Sequence, residues 1–141
     1  GPEGLARARA LLAAEAPRME PAGLTASLML AAEGHGILIE PMLYWPDSLR
    51  PVHARSLRPD VVRRFEGAPA NPGARALARE LRAALRDILL AEGGMMAQLG
   101  RYYPYAALVG DETAGLGRAI KDLLDPDGRL NPGNLGWGRA A

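Results

Sequence analysis

The chain has no cysteine, which excludes a disulfide framework, a thiolate nucleophile and a zinc–cysteine centre, and leaves the redox compartment open. Its only histidines, His35 and His53, are not at metal-ligand spacing, so a metal site is not expected. No run approaches the length of a transmembrane helix, and the Ala- and Arg-rich opening lacks the contiguous apolar core of a signal peptide. A soluble, cytoplasmic protein with no membrane partner is the expectation. Neither charge sign is in excess. Sixteen arginines and the single lysine, Lys121, face sixteen acidic residues, for a net charge of +1, which gives no strong drive toward nucleic acid. Internal repeats, low-complexity tracts and a Gly-rich dinucleotide loop of the Rossmann type are also absent.

What is present has the makeup of one globular domain spanning residues 1–141, with 48% hydrophobic and 23% charged residues. Leu5, Arg9 and Leu12 predict an opening helix from Gly4 to Glu15, ended by Pro17. Leu24–Ala32 and Ile37–Trp45 read as two strands joined by the turn Glu33-Gly34-His35-Gly36, with Pro41 placing the second at an edge or a bulge. Residues 46–72 read as a long connection holding a short helix at Pro59–Phe65. A strongly amphipathic helix follows over Gly73–Ala91. Leu77, Leu81, Leu85, Ile88 and Leu89 form one face, Arg75, Arg79, Arg82 and Arg86 a solvated one, and Gly93-Gly94 ends it. Met95–Leu99 reads as a third strand and Arg101–Tyr105 as a loop. The pattern predicts an α+β fold with an antiparallel sheet covered on one face by helices, and a ferredoxin-like arrangement fits it best.

The most informative stretch lies near the C-terminus. Leu116, Ala119, Ile120, Leu123 and Leu124 fall at helical spacing, Asp111 is placed to cap that helix, and Pro126 disfavours helical geometry at Asp125. Asp125-Pro126-Asp127-Gly128 then has the residues of a type I turn, and Asn131-Pro132-Gly133-Asn134 those of a type II turn with Gly133 at positive φ. The chain should therefore end in a rigid hook. Read as a unit, "IKDLLDPDGRLNPGNLGW" resembles the C-terminal signature of FAD-linked oxidases of the vanillyl-alcohol oxidase and p-cresol methylhydroxylase type. The resemblance runs from before the hairpin to the C-terminus. It implies the substrate or cap domain of an FAD-dependent oxidoreductase that oxidises an alcohol-like substrate by hydride transfer to flavin. The FAD-binding domain would be a separate N-terminal one, absent from this chain, and the isolated chain would be inactive.

Three of the four tyrosines, Tyr102, Tyr103 and Tyr105, sit beside Arg101, and tyrosine can donate to an oxygen or stack on a ring while arginine stabilises an anion. Arg101 and Tyr103 are thus candidate catalytic residues and Tyr102 a substrate-binding one. The resemblance adds Gln98, in a segment that lies over the flavin in the family. Glu40, Met42 and Tyr44 share a strand face by alternation, which makes Glu40 a candidate base or polar anchor and Tyr44 a candidate substrate contact. The family also suggests cofactor contacts at His35, loosely where its histidyl-flavin members attach FAD, and at Asn131 in the hook. Two departures narrow the chemistry. Met95-Met96 stand where phenol-oxidising members carry a Tyr-Arg pair, and the paired-histidine and Ser-Gly-Glu-His-Gly-like motifs of the lactate and glycolate dehydrogenase branch are missing. The partners expected are a small-molecule substrate and an N-terminal FAD-binding domain, with a homo-oligomer left open. A second reading is a stand-alone α+β binding or assembly module that uses the Tyr102–Tyr105 loop and the hook as an interface.

Overall fold

A single apolar helix face organises the first of two compact units, Gly1–Gly94. The computed structural model describes residues 1–96, 98 and 100–137. Helix α1 spans Pro2–Met19, strands β1 and β2 span Thr25–Glu33 and Gly36–Tyr44, and three helices follow: α2 (Pro51–Ser56), α3 (Pro59–Phe65) and α4 (Pro72–Ala91). The expected leucine face of α4 is the buried one. Leu77, Ala78 and Leu81 meet Met19 and Leu24, with Leu12, Ala26, Leu43 and Trp45 packed around them, while Leu85 is equally buried further along the helix. This is an α+β fold with a two-stranded antiparallel sheet among the described residues.

The ends of α4 follow from its sequence. Asn71 caps the start by accepting from the Ala74 N–H at 3.0 Å, with Pro72 in the first turn, where its missing donor costs nothing. At the far end Gly93 takes φ +76°, the Gly93 N–H donates to the Leu90 carbonyl and the Gly94 N–H to that of Leu89, which is a Schellman motif. A side chain at Gly94 would lie 2.5 Å from the Leu89 oxygen. Pro17, by contrast, does not end α1. The helix runs on to Met19, because Met19 is buried in the core and Arg18 holds Glu80 of α4 through two hydrogen bonds of 2.8 Å. One lost backbone bond is outweighed by tertiary contacts.

β1 and β2 pair without a bulge from Thr25↔Tyr44 to Glu33↔Gly36, leaving a two-residue loop, Gly34-His35, where the sequence suggested four residues. Gly34 has φ +56°, the conformation a type II′ turn requires at its first central residue. Pro41 therefore marks an edge, not a bulge. The expected third strand is not formed: Met95, Met96 and Gln98 lie outside any strand, and Ala97 and Leu99 lie outside the described residues. Helix α2 was not anticipated, whereas α3 falls where the sequence put it.

Arg75 is not part of a solvated stripe. It grips Asp47 bidentately, Nε to Oδ2 at 2.5 Å and Nη2 to Oδ1 at 2.6 Å, and Asp47 also accepts from the Trp45 indole, the Ser48 N–H and the Asn71 N–H. These bonds, that from Arg75 foremost, hold the Asp47 carboxyl far below the ordinary carboxylate range. A carboxylate whose folded value is depressed binds its proton more readily in the unfolded chain, so its contribution is present above the ordinary value of about 3.9 and is lost as pH falls below it. Unit 1 of the wild type should accordingly lose unfolding free energy on acidification below about pH 4, and Asp47→Asn should flatten that slope. Urea denaturation at a series of pH values checks this, and equal slopes for the two proteins would remove Asp47 from the acid response.

The second unit, Met95–Ala141, contains α5 (Tyr105–Leu108), α6 (Asp111–Leu124) and a 3-10 turn over Asn134–Gly136. Its first helix begins at Tyr105, the last residue of the stretch read as a loop. Gly110, at φ 75°, is the N-cap of α6, not Asp111, which instead joins Glu112 in the first helical turn, where negative charge complements the helix dipole.

Candidate functional site

The C-terminal hook is built by Asp125. Helix α6 stops there as Pro126 requires, and the buried Asp125 carboxylate accepts from the Arg129 N–H at 2.8 Å and the Leu130 N–H at 2.9 Å while pairing with Lys121 one turn back. Lys121 also donates to the Leu130 carbonyl at 2.6 Å. The Lys121 contact, followed by the two backbone donors, lowers the Asp125 pKa against the opposing effect of burial. Each turn closes with the expected bond, Gly128 N–H to the Asp125 carbonyl at 3.0 Å and Asn134 N–H to the Asn131 carbonyl at 3.1 Å. Gly133 sits at φ 76°, ψ 1°, the values of a type II turn.

Arg101 ties the tyrosine segment to this hook. Its Nη2 donates to the Pro132 carbonyl at 2.5 Å and its Nε to Asn134 Oδ1 at 3.2 Å. Beyond it, the half-buried rings of Tyr102 and Tyr103 meet edge to face, 5.0 Å apart. Tyr105, at the start of α5, packs in the same manner against Trp137 at 5.7 Å. Trp137 in turn lies directly on Gly117 of α6, where no side chain would fit. Asn131, exposed at the hook's second bend, has φ 44°, a left-handed conformation that asparagine tolerates better than most residues. Leu135 shares that region at φ 60°, ψ 9°, a strained position for a branched side chain.

Unit 2 thus brings Arg101, Tyr102 and Tyr103 together with the turn that begins at Asn131. Gln98 is exposed at a bend before Arg101. The remaining candidates belong to unit 1. Glu40 is half-buried opposite Met29, and Tyr44 is exposed with its hydroxyl donating to Met42 Sδ at 2.9 Å, as residues on one strand face can. His35 occupies the exposed hairpin loop. No helix among the described residues is long and apolar enough to cross a membrane, and no group of three or more His, Asp or Glu among them could hold a metal.

Three structural partnerships escaped the sequence reading. The Lys121–Asp125 spacing of four on a helix was a legible signal. Gly117 beneath Trp137 and the Asp47–Arg75 pair carried none, because each joins residues distant in the chain. Set beside protein-family models, curated proteins and solved structures, the chain matches none of them.

Proposed function

We propose that the chain is the substrate or cap portion of an FAD-dependent oxidoreductase of the vanillyl-alcohol oxidase and p-cresol methylhydroxylase type, acting on an alcohol-like substrate. The observation that carries this reading is the Arg101 bond to the Pro132 carbonyl, because it joins two segments nominated for separate reasons, the tyrosine segment and the hook. With the short α2 and α3 set aside, the order α1-β1-β2-α4, both helices contributing to one core beside an antiparallel hairpin, resembles the interior of a ferredoxin-like βαββαβ unit, which supports the cap reading.

In this reading the tyrosine segment and the hook would form part of the wall of a flavin and substrate cavity. FAD, when bound, accepts a hydride. Within this chain Tyr103 offers a hydroxyl donor to a substrate with the Tyr102 ring packed edge to face against it, Gln98 an amide, and Asn131 an exposed amide on a fixed turn for the flavin or its domain. Arg101 acts first as the positioning residue that keeps these elements together. Glu40, Tyr44 and His35 belong to the other unit and are proposed, by themselves, as contacts that the hairpin offers to a substrate or cofactor.

The test is made on the protein purified from its native source. Flavin fluorescence after denaturation should show FAD in the same species as this chain, and a panel of small alcohols should contain one that bleaches the flavin anaerobically. Arg101→Ala should then slow that bleaching while leaving the melting midpoint within a few degrees, the change that a loss near 1 kcal/mol brings. A native species free of flavin would overturn the reading.

A further inference from the structure

We propose that the chain forms a two-fold dimer in which β1 pairs antiparallel with β1 of a second copy, giving a continuous four-stranded sheet. The argument starts from which backbone groups the hairpin uses. Glu33 and Gly36 flank a two-residue loop, so they form a hydrogen-bonded pair, and such pairs alternate down the ladder. Pairing within the hairpin therefore engages Thr25, Ser27, Met29, Ala31 and Glu33 of β1. The N–H and C=O groups of Ala26, Leu28, Leu30 and Ala32 point outward. On β2 the outward position opposite Leu28 is Pro41, which has no N–H to offer. The two edges are thus unequal: β2 is blunted at its middle by proline, and β1 is open along its length.

β1 also lacks the other features that keep an edge solitary. It has nine residues, no proline or glycine, and only one charge, Glu33 at its end. Among the described residues β2 is its principal neighbour. A hairpin of two strands is marginal alone, and this one reaches past the helices that hold its base. On the face it shares with the core, Leu30 is 50% and Ile37 62% exposed.

A second copy fits this edge because β1 is complementary to itself. With Met29 on the two-fold axis, Leu28 lies opposite Leu30 and Ala26 opposite Ala32 on the apolar face. Position 25 then pairs with position 33, and Ser27 with Ala31 on the other. The outward N–H and C=O groups of the two strands come into register, and the apolar faces of the two hairpins become one. The isologous pairing closes on itself and leaves the proline-blunted β2 strands as the outer edges of the sheet.

The absence of cysteine makes the register directly testable. In the new pairing Met29 forms a non-hydrogen-bonded pair with its own copy, with Cα atoms about 4.5 Å apart. That spacing lies inside the roughly 4.4–6.8 Å a disulfide spans. Under oxidised glutathione, Met29→Cys should give a covalent dimer; Ser27→Cys and Ala31→Cys should not when alone, but should cross-link when mixed. In sedimentation velocity the wild type should be dimeric. Leu30→Pro, which removes an outward N–H just as Pro41 does, should be monomeric at the same concentration with an unchanged circular-dichroism spectrum. A monomeric wild type whose Met29→Cys variant stays uncross-linked would overturn the proposal, as would equal cross-linking by all three single-cysteine variants. Flavin content does not enter these measurements, so their outcome is separate from that of the oxidoreductase reading.

Discussion

Gly117→Ala is expected to push Trp137 off helix α6 and loosen the whole C-terminal hook. A β-carbon at position 117 would fall within 2.5 Å of the indole Cζ2, a contact that van der Waals repulsion does not permit. Either the helix or the ring must move, and the ring is the more mobile partner because it lies past the last turn of the hook. Overpacking of this kind costs about 1–3 kcal/mol. Losing the edge-to-face contact with Tyr105 forfeits a further ~0.5–1.5 kcal/mol. The measurement is the indole N–H resonance of Trp137, which should shift toward its solvent-exposed position, while that of Trp45, hydrogen-bonded to Asp47 in the other unit, stays in place. An unmoved Trp137 resonance would show that the indole does not rest on Gly117 in solution. In a flavin-loaded species the same substitution should lower FAD retention, since the hook is the segment proposed to meet the flavin or its domain.

The parts of this fold that were legible in the sequence are those set by local chemistry. Both tight turns near the C-terminus, the stop of α6 before Pro126, the Gly93-Gly94 end of α4 and the span of α3 depend on residues within a few positions of one another, and each forms as its residues dictate. Where distant residues decide, the reading failed. Pro17 predicts the end of α1, but the buried Met19 and the Arg18–Glu80 pair carry the helix past it. The spacing of Arg75 from Arg79, Arg82 and Arg86 predicts a solvated face, yet its partner, Asp47, lies twenty-eight positions away. The candidate site divides in the same way. The hook's conformation follows from its own sequence, whereas the Arg101 bond that joins it to the tyrosine segment spans thirty-one positions.

Leu81→Ala and Leu123→Ala should differ by several kilocalories although the sequence presents both leucines alike, on the apolar stripe of an amphipathic helix. Leu81 is 1% exposed and is packed among Met19, Leu24, Leu77 and Ala78, so truncation leaves a cavity that the surrounding side chains only partly close. The expected loss is about 2–5 kcal/mol. Leu123 is 80% exposed, and its neighbours on the stripe, Leu116, Ile120 and Leu124, are exposed as well, because α6 turns Ala114, Gly117 and Lys121 toward the hook instead. Truncation there should change stability by no more than about 0.5 kcal/mol, with alanine's higher helix propensity working in its favour. Urea denaturation followed at the indole N–H resonance of Trp45 reports on the unit that contains Leu81, and that of Trp137, which lies on Gly117, follows α6. For Leu81→Ala the midpoint should fall with the slope unchanged, as a pure loss of stability requires. If Leu123→Ala in this chain cost as much as Leu81→Ala, the α6 stripe would be core, and the exposed face seen here would have to be covered in solution.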